Sequence, residues 1–393
     1  MVSIVYPMDP VCPKAGGVQA NILEFIKFSP PDLDISLVGL TGDKGMPVKK
    51  WHRLKAGSKD FDFLPVMFER DLDRRKLVPL SLRFVLSLAL SHIDLSGRVL
   101  FFHRFEPALL FKRLKGPKIL MVHNDVEEQI LGKKSEVLWS RLSFFYFMLE
   151  KYVFGDMAHI YSVTERTERF YRARYPALAD RFSFLPTWVD HDRFTISQEP
   201  RLSLRRRLCA RHEDIDPDKK WVLFAGRLQR QKAPLRLIDV FSQYHKKNTG
   251  SCLIIAGDGN VRLDMERYAG SFGLTGSVFF LGTLAQEELI DLYRASDALL
   301  LVSFFEGMPR CVLEAMDCGL PVVATDVGEV GRVVKNGFSG EAVKDVSIEA
   351  LVSALEKVLN DPQGYKKENC ISIARDYTPE RVLRPVYELI RTL

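Results

Sequence analysis

Two glutamates separated by seven residues are the clearest sign of chemistry in this chain of 393 residues. Glu306 and Glu314 lie on either side of a Gly-x-Pro turn, and the apolar run 298–303 before them predicts a buried parallel strand. Pro309 is typical of the first position of a helix. Glu306 is therefore expected in the loop at the carboxyl end of the strand, where open α/β sheets bind ligands, and Glu314 inside the helix. The two carboxylates could hold two parts of one extended ligand, with an anionic group at the helix N-terminus between them.

A second charged group follows another predicted strand. The strand 221–225 leads into Gly226, and two cations, Arg227 and Lys232, come next. A guanidinium and an ammonium at a strand–helix junction can bind a diphosphate and stabilise its charge as it departs. The alternative is a basic surface loop with no ligand.

Glycine turns follow two further predicted strands. Gly257 ends the strand 251–256, and Gly16 and Gly17 stand between the first strand and a helix. Glycine lets the backbone approach a phosphate or sugar closely, and a helix start adds N–H donors. Ordinary strand–helix loops would have the same residues, so these turns favour a ligand site only together with the charged motifs.

Two histidines are candidates for the same site. His123 ends the strand 118–123, and His103 follows the strand 98–102. A histidine at the carboxyl end of a parallel strand is expected to face a ligand, whereas one on an apolar strand face would be part of the core. We favour His123 over His103, although both could line one pocket.

Taken together, these motifs resemble those of the retaining glycosyltransferases of family 4, which have the GT-B fold and an E-x7-E motif. Glu-Gly-x-Pro, Leu-Glu-Ala-Met and the run Gly-x-Pro-Val-Val-Ala-Thr match around the two glutamates. The family's Gly-Arg-x4-Lys-Gly element matches at Arg227 and Lys232, with Ala233 where glycine is usual. The resemblance is dense over residues 182–345 and thinner before them.

The resemblance implies a role for each candidate residue. Arg227 and Lys232 would bind the diphosphate of a nucleotide-sugar, Glu306 the transferred sugar and Glu314 the ribose hydroxyls. His123 matches the family's active-site histidine, which contacts the transferred sugar. Further donor contacts are implied for Gly16, Gly17, Gly257, Leu284, Ala285, Gly307, Met308 and Pro309. Leu284 and Ala285 would contact the nucleobase through their backbone, so the base cannot be deduced from side chains.

The sequence departs from the family pattern in two places. Thr187 and Trp188 replace Asn and Gly in a Pro-Asn-Gly-Val-Asp element, and the bulk of Trp188 suggests an unusual fit of sugar or acceptor. In a Gly-Gly-x-x-Glu element, Glu329 replaces the second glycine and Arg332 replaces the glutamate. These changes affect details of the expected site and not the expected reaction class.

The length and the alternation of strand and helix patterns predict an α/β protein with two domains. Together with the resemblance, they indicate the GT-B architecture, in which two Rossmann-like parallel-sheet domains face an interdomain cleft. We expect an acceptor-binding domain at 1–186, a nucleotide-sugar-binding domain at 187–372 and a helix at 373–393 that crosses back to the first domain. The predicted strands are 3–6, 34–40, 98–102, 118–123, 158–163, 221–225, 251–256, 277–281, 298–303 and 321–325.

Composition limits the class of protein and its partners. The chain is 47% hydrophobic and 27% charged, as in ordinary globular proteins, and its net charge is +6. Residues 1–190 hold 28 Lys and Arg against 22 Asp and Glu, whereas residues 191–393 hold 28 of each. The basic, aromatic segment 133–147 could meet an anionic membrane surface, or it could pack its aromatics into the core. There is no nucleic-acid-binding motif, transmembrane stretch or signal peptide, and the six cysteines lack metal-ligand spacing. We therefore expect a cytoplasmic protein. It would be peripheral on the membrane if the basic segment meets lipid.

The resulting hypothesis is a metal-independent, retaining glycosyltransferase with no cofactor. The donor would be a UDP- or GDP-sugar, and the acceptor a glycan or a lipid-linked molecule of the cell envelope or an exported polysaccharide. No Asp-x-Asp turn stands at a predicted strand end to hold a metal. The alternatives are a GT-B sugar-nucleotide epimerase, a phosphorylase, for which no pyridoxal phosphate motif is present, and a non-catalytic sugar-nucleotide-binding protein.

Overall fold

The computed structural model describes residues 1–12, 16–70, 78–112, 114–123, 126–127, 143–212 and 214–393. They form two compact units. The N-terminal unit comprises Met1–Pro186 and Pro379–Leu393, and the C-terminal unit comprises Thr187–Thr378. Each unit contains a mainly parallel sheet with helices in the connections, as the alternating strand and helix patterns predict.

The N-terminal unit is built on an eight-stranded sheet, counted over the described residues. Its strands are β1 Val2–Val5, β2 Ile35–Thr41, β3 His52–Ala56, β4 Lys59–Phe68, β5 Val99–Phe102, β6 Lys118–Val122, β7 His159–Ser162 and β8 Phe182–Phe184. They lie in the order β3-β4-β2-β1-β5-β6-β7-β8, and all pairs are parallel except β3 with β4. The helices between them are α1 Gly17–Lys27, α2 Leu80–Ala89, α3 Phe105–Ala108, α4 Ser143–Phe154 and α5 Glu165–Arg174.

The antiparallel hairpin of β3 and β4 was not among the predicted strands. Strand β3 alternates between half-buried and exposed residues, unlike the continuous apolar runs of the central parallel strands. Strand β4 has a continuous buried stretch at 63–66, but this stretch contains Pro65, a residue that is uncommon inside strands. The turn between the strands places Gly57 at a φ of 61°, a left-handed conformation that glycine adopts without steric cost. Strand β8 was also missed; it is only three residues long.

The C-terminal unit has a six-stranded parallel sheet in the order β11-β10-β9-β12-β13-β14, again among the described residues. Its strands are β9 Lys220–Ala225, β10 Ser251–Ala256, β11 Val278–Gly282, β12 Ala298–Leu301, β13 Val322–Thr325 and β14 Gly340–Val343. Its helices are α6 Arg201–Cys209, α7 Pro234–Lys247, α8 Arg262–Ser271, α9 Gln286–Ala295, α10 Arg310–Asp317, α11 Val330–Val333, α12 Ile348–Asn360 and α13 Lys367–Ala374. The four residues of β12 and of β13 are all buried, which explains their uninterrupted apolar sequences.

The last helix, α14 Pro379–Thr392, belongs to the N-terminal unit. It begins at Pro379 instead of residue 373, because α13 and a short 3₁₀ turn occupy the intervening residues. Its buried residues recur every three to four positions, which gives the helix one apolar face. On this face the Tyr387 hydroxyl donates a hydrogen bond of 2.6 Å to the Phe25 carbonyl of α1.

Among the described residues, no helix combines the length and the apolar character that crossing a bilayer requires.

Candidate functional site

The predicted site residues of the C-terminal unit collect at one edge of its sheet. Strands β10, β9, β12 and β13 are consecutive neighbours and parallel, so their carboxyl ends meet at the same edge. The loop 226–232 follows β9, Gly257 follows β10, and the loop 302–309 follows β12. This arrangement brings together motifs that lie far apart in the sequence.

Lys232 and Glu306 are in direct contact. The Lys232 Nζ lies 2.6 Å from the Glu306 Oε1, and the two side chains are 18% and 7% exposed. Burial by itself would lower the pKa of Lys232, but the Glu306 carboxylate outweighs it and the pKa is raised, against a smaller opposing effect of Arg227. Lys232 therefore stays protonated, and the site holds a cation and an anion side by side. Arg227 is exposed.

The two loops that carry this ion pair are also joined through their backbones. The Phe304 N–H donates to the Gln231 carbonyl over 2.9 Å, and the Gln231 Nε2 donates to the Phe305 carbonyl over 2.9 Å. Gln231 thus connects the residues next to Lys232 with those next to Glu306. It fixes the distance between the two charged groups, a role that the sequence motif did not reveal.

The glycines at this edge allow close contact between loops. Gly257 has a φ of 148°, and a Cβ atom there would lie 1.9 Å from the Gly226 carbonyl oxygen. Gly328 has a φ of 56°, and a Cβ atom would lie 2.1 Å from the Gly307 oxygen. Both distances are far below van der Waals contact. Packing against another loop is therefore sufficient to require glycine at Gly257, whether or not a ligand contacts it.

Ala233 occupies the position where the resembling family has glycine, and its backbone shows the reason. Its φ and ψ are 49° and 53°, in the left-handed region, and it immediately precedes α7. A residue with a Cβ atom is disfavoured in this conformation. The loop therefore keeps the turn that glycine would make, in spite of the steric strain at Ala233.

Glu314 is held from two sides inside α10. The Tyr293 hydroxyl of α9 donates to the Glu314 Oε2 over 3.0 Å, and the Arg310 Nε donates to the Oε1 over 3.2 Å. Glu314 is 12% exposed and Arg310 is 7% exposed. Burial, followed by the Glu314 charge, raises the pKa of Tyr293 well above its ordinary value, so this hydroxyl remains a donor. The i,i+4 spacing could have predicted the Arg310 contact, but nothing in the sequence marks Tyr293.

The turn between the two glutamates is buried. The Gly307 carbonyl accepts a hydrogen bond from the Glu329 N–H, and the Met308 sulfur accepts one from the Thr187 N–H at 3.2 Å. Pro309 is the residue before the first turn of α10 instead of its first position. Leu284 and Ala285 lie between β11 and α9, at the edge strand next to β10.

The two departures from the family pattern have different structural outcomes. Glu329 and Arg332 form an ion pair, with 2.7 Å between the Glu329 Oε2 and the Arg332 Nε, so the two substitutions compensate each other in charge. The Trp188 side chain is 1% exposed, and its carbonyl accepts a hydrogen bond from Arg310. Trp188 is thus a buried residue that supports Arg310, and the expectation that its bulk limits ligand fit finds no support in this burial.

In the N-terminal unit, His103 and His123 form a pair. The His103 Nδ1 lies 2.7 Å from the His123 Nε2, and the rings stack with their centroids 5.0 Å apart. Burial lowers the pKa of His123 to about 3 and that of His103 well below its ordinary value. Both rings are therefore neutral near pH 7, and one donates to the other. His103 and His123, which the sequence offers as alternatives, are therefore in direct contact with each other.

At the N-terminal glycine pair, Gly16 precedes α1 and Gly17 is its first residue. The φ of Gly16 is 176°, an extended conformation open to any residue, so the backbone angle itself does not require glycine. Residues 13–15 before the pair lie outside the described residues. Within the described residues, no group of three or more His, Cys, Asp or Glu side chains could hold a metal ion.

The sequence comparisons with known proteins match mainly the C-terminal unit. Residues 208–377 match the family model of the glycosyl transferases group 1. A D-inositol 3-phosphate glycosyltransferase of Rhodococcus erythropolis is 37% identical over 155 residues, which are 38% of this chain and 35% of that protein. The match thus spans about a third of this curated relative.

Solved structures resemble the whole chain. Sucrose-phosphate synthase from Thermosynechococcus elongatus superposes with a TM-score of 0.78 at 18% identity, over 100% of this chain and 98% of that one. Anabaena HepE in complex with UDP and glucose superposes with a TM-score of 0.72 at 15% identity, over 100% and 99% of the chains. At such identities the likeness concerns the fold. Residues 208–377 therefore match the glycosyl transferases group 1, within a chain that has the GT-B fold.

Proposed function

We propose that this protein is a retaining glycosyltransferase that moves a sugar from a nucleoside diphosphate donor to a glycan or lipid-linked acceptor. The observation that carries the proposal is the contact of Lys232 with Glu306 in the loops after two neighbouring strands, with Glu314 in the helix that follows, all within the region that matches group 1. A paired cation and carboxylate beside a second buried carboxylate suit a ligand with a diphosphate between two polyhydroxylated groups.

Each part of the donor has a proposed partner. Arg227 and Lys232 bind the diphosphate, together with the N-terminus of α10, where the helix dipole favours an anion. Glu306 accepts hydrogen bonds from the sugar and Glu314 from the ribose. The backbone of Leu284 and Ala285 contacts the base, and the loop with Gly307, Met308 and Pro309 lies between the two glutamates. In the N-terminal unit, the proposed contacts are Gly16 and Gly17 with the donor and His123 with the transferred sugar.

The proposed reaction needs no protein nucleophile and no metal. The bond between the sugar C1 and the diphosphate oxygen breaks, and the acceptor oxygen forms a bond to C1 on the same face. The acceptor proton goes to the departing diphosphate oxygen. Arg227 and the protonated Lys232 stabilise the charge that develops on the diphosphate, as a divalent ion does in other enzymes.

The base of the donor is proposed to be uracil or guanine. The similar HepE structure contains UDP and glucose, which favours a UDP-sugar for this chain. An epimerase remains a second candidate function, because it would bind the same donor. A binding protein without activity would not need a sugar-facing carboxylate, and Glu306 argues against it.

A panel of UDP-, GDP- and ADP-sugars tests the proposal. The purified protein is incubated with each donor and a mixture of glycan and lipid-linked acceptors, with and without a chelator. We expect nucleoside diphosphate release from one donor class, unaffected by the chelator, and NMR of the product should show the anomeric configuration of the donor. Inverted product, dependence on a metal, or epimerised donor without transfer would each contradict the corresponding part of the proposal.

We also propose a peripheral contact of the N-terminal unit with an anionic membrane, which would hold the protein at the cytoplasmic face. Helix α4 presents an exposed row of apolar side chains at helical spacing, Phe144, Phe145, Met148 and Tyr152, while Tyr146 and Phe147 of the same helix are buried. The Lys112 Nζ lies 3.0 Å from the centroid of the Tyr152 ring. Lys133, Lys134, Trp139 and Arg141, which motivated this hypothesis, lie outside the described residues.

Sedimentation with vesicles tests the membrane proposal. Binding should need anionic lipid and weaken as salt rises, because each basic residue contributes on the order of 1 kcal/mol and is screened. Phe144→Ser should reduce binding to anionic vesicles, whereas Leu263→Ser, at an equally exposed position of the C-terminal unit, should not. Absence of pelleting with anionic vesicles at low salt would favour a soluble acceptor and exclude this contact.

A further inference from the structure

We infer that Tyr293 and Arg310 are positioning residues for recognition of the ribose, because they hold Glu314 in the orientation in which it accepts both hydroxyls of a ribose diol. The inference rests on the proposed function and extends it to two residues that no motif marks. It concerns only the C-terminal unit.

The number of free acceptor positions on Glu314 supports the inference. An ionised carboxylate has about four lone-pair positions, two on each oxygen. Tyr293 uses one on the Oε2 and Arg310 uses one on the Oε1. One position remains on each oxygen, which is what a pair of neighbouring hydroxyls needs.

The two supports differ in kind, and together they leave the carboxylate little freedom to rotate. Tyr293 is 1% exposed and comes from α9, so it fixes one oxygen from a separate helix. Arg310 lies one turn before Glu314 in α10, and its Nη1 also donates to the Trp188 carbonyl over 3.3 Å. Arg310 is thereby held at both ends. A carboxylate fixed by packed neighbours needs less ordering when the ribose arrives.

A purely structural role is the competing explanation. A tyrosine hydroxyl that donates to a carboxylate could simply connect α9 and α10 and have no bearing on the ligand. The two explanations differ in which ligands respond when the hydroxyl is removed. A positioning role affects only ligands that carry ribose hydroxyls, whereas a structural role affects all of them.

Calorimetry with matched nucleotides separates the explanations. The full-length wild type and Tyr293→Phe are titrated with UDP and GDP, and with the 2′,3′-dideoxy forms of the nucleotide that binds. We expect Tyr293→Phe to weaken the ribonucleotide by about 3- to 10-fold, the size of one hydrogen bond, and to leave the dideoxy form within twofold. Glu314→Gln should weaken the ribonucleotide by about 10- to 100-fold, and Tyr293→Phe added to it should cause little further loss.

Two controls make the result decisive. Tyr244→Phe removes a hydroxyl from another tyrosine of the same unit that is 1% exposed, and it should change neither affinity. Thermal unfolding shows whether each variant is folded. Arg310→Lys removes the second support of the Glu314 carboxylate, and it should likewise weaken binding of the ribonucleotide and not of the dideoxy form.

The outcomes distinguish this inference from the proposed function. Equal weakening of the ribonucleotide and its dideoxy form by Tyr293→Phe, or weakening of neither, would overturn the positioning role while leaving the donor site intact. If neither UDP nor GDP binds the wild type, the proposed donor is wrong and the inference is wrong with it.

Discussion

At the scale of single residues, Lys232, Glu306 and Glu314 of the candidate site already have protein partners. Lys232 contacts Glu306, and Glu314 contacts Tyr293 and Arg310. In a partly buried site, each partner of such a pair offsets the desolvation cost of the other. We infer that the charged side chains are already held in position before a donor binds. In the complex, Lys232 then contacts both the diphosphate and Glu306.

The first prediction concerns the exposed cation. Arg227→Ala should lower kcat/KM by about 30- to 1000-fold, since a charge-assisted contact to the departing diphosphate contributes roughly 2–4 kcal/mol to the transition state. Arg230→Ala, three positions further along in the same loop and also exposed, is the matched control and should retain turnover. Near-normal turnover of Arg227→Ala would exclude this role.

The second prediction separates the two glutamates. Glu314→Ala should weaken binding of the nucleoside diphosphate itself, because the ribose contact does not depend on the sugar. Glu306→Gln should leave that binding nearly unchanged while turnover collapses, because the ligand group that Glu306 is proposed to contact is the sugar. Calorimetry and initial rates on the same preparations measure both effects, and the reverse pattern would mean that the ligand binds in the opposite direction.

The third prediction follows from the backbone of Ala233. Ala233→Gly should stabilise the protein by about 0.5–1 kcal/mol, because glycine adopts the left-handed conformation without the steric strain that alanine has there. Ala269→Gly, at a buried position inside α8, should destabilise it by a similar amount. Chemical unfolding measures both changes. A loss of stability in Ala233→Gly would show that the buried methyl group of Ala233 contributes more than the backbone strain costs.

At the scale of elements, the sequence predicted the strands that carry the site and missed β3, β4, β8 and β14. Strands β9, β10, β12 and β13 are mainly apolar runs, and glycine directly follows β9 and β10. The expected positions of the four strands agree with the structure to within two residues. Strand β14 was missed because only its first three residues are buried. Edge position alone does not explain the missed strands, because β11 also lies at a sheet edge and was predicted at 277–281.

Contacts between elements could not be predicted from the sequence, for a different reason. Motif spacing indicates that Glu306 and Lys232 follow separate strands, but only the strand order makes those strands neighbours. In the sequence, Tyr293 looks like an ordinary core residue. Its contact with Glu314 cannot be predicted, because the direction of its hydroxyl depends on how α9 packs beside α10. The sequence therefore identified the charged groups, and the fold determined which of them touch.

The fourth prediction concerns the link between α10 and the segment that begins the C-terminal unit. The His191 Nδ1 lies 2.5 Å from the Asp317 Oδ1, and the Asp317 side chain is completely buried. Burial raises the pKa of Asp317 from its ordinary 3.8 to about 7, against the opposing effect of His191. Between these values the folded state holds a proton that the unfolded state releases, so this contribution to stability is full below pH 3.8 and lost as pH approaches 7.

Asp317→Asn removes this titration. The unfolding free energy of the wild type minus that of the variant should therefore fall as pH rises from about 4 to 7, and level off above that range. Asp192→Asn, at an exposed position of the same segment, serves as the matched control. If the same difference rises over this range, the ion pair with His191 outweighs the burial of the carboxyl group.

At the scale of the whole molecule, the two units differ in how the chain builds them. The C-terminal unit is continuous from Thr187 to Thr378, whereas the N-terminal unit needs the separate segment Pro379–Leu393. Helix α14 contributes the buried residues Val382, Leu383, Val386, Tyr387 and Ile390 to the N-terminal unit. Burying each large side chain contributes roughly 1.5–3 kcal/mol, so the loss of this helix is comparable to the net stability of a domain, about 5–15 kcal/mol.

The fifth prediction follows from this difference. A fragment of residues 187–378 should fold by itself, unfold cooperatively and bind a nucleoside diphosphate, because every proposed diphosphate and ribose contact of the C-terminal unit lies within it. A fragment of residues 1–186 should not unfold cooperatively until a peptide of residues 379–393 is added.

Variant peptides test which contacts of α14 matter. The peptide with Tyr387→Ala should restore cooperative unfolding poorly, since it lacks both the ring packed on Phe25 and the 2.6 Å hydrogen bond. The peptide with Arg384→Ala, which alters an exposed side chain, should restore it as well as the native peptide does. Circular dichroism during denaturation and calorimetry measure these outcomes, and cooperative unfolding of 1–186 without the peptide would show that α14 is not needed to complete this unit.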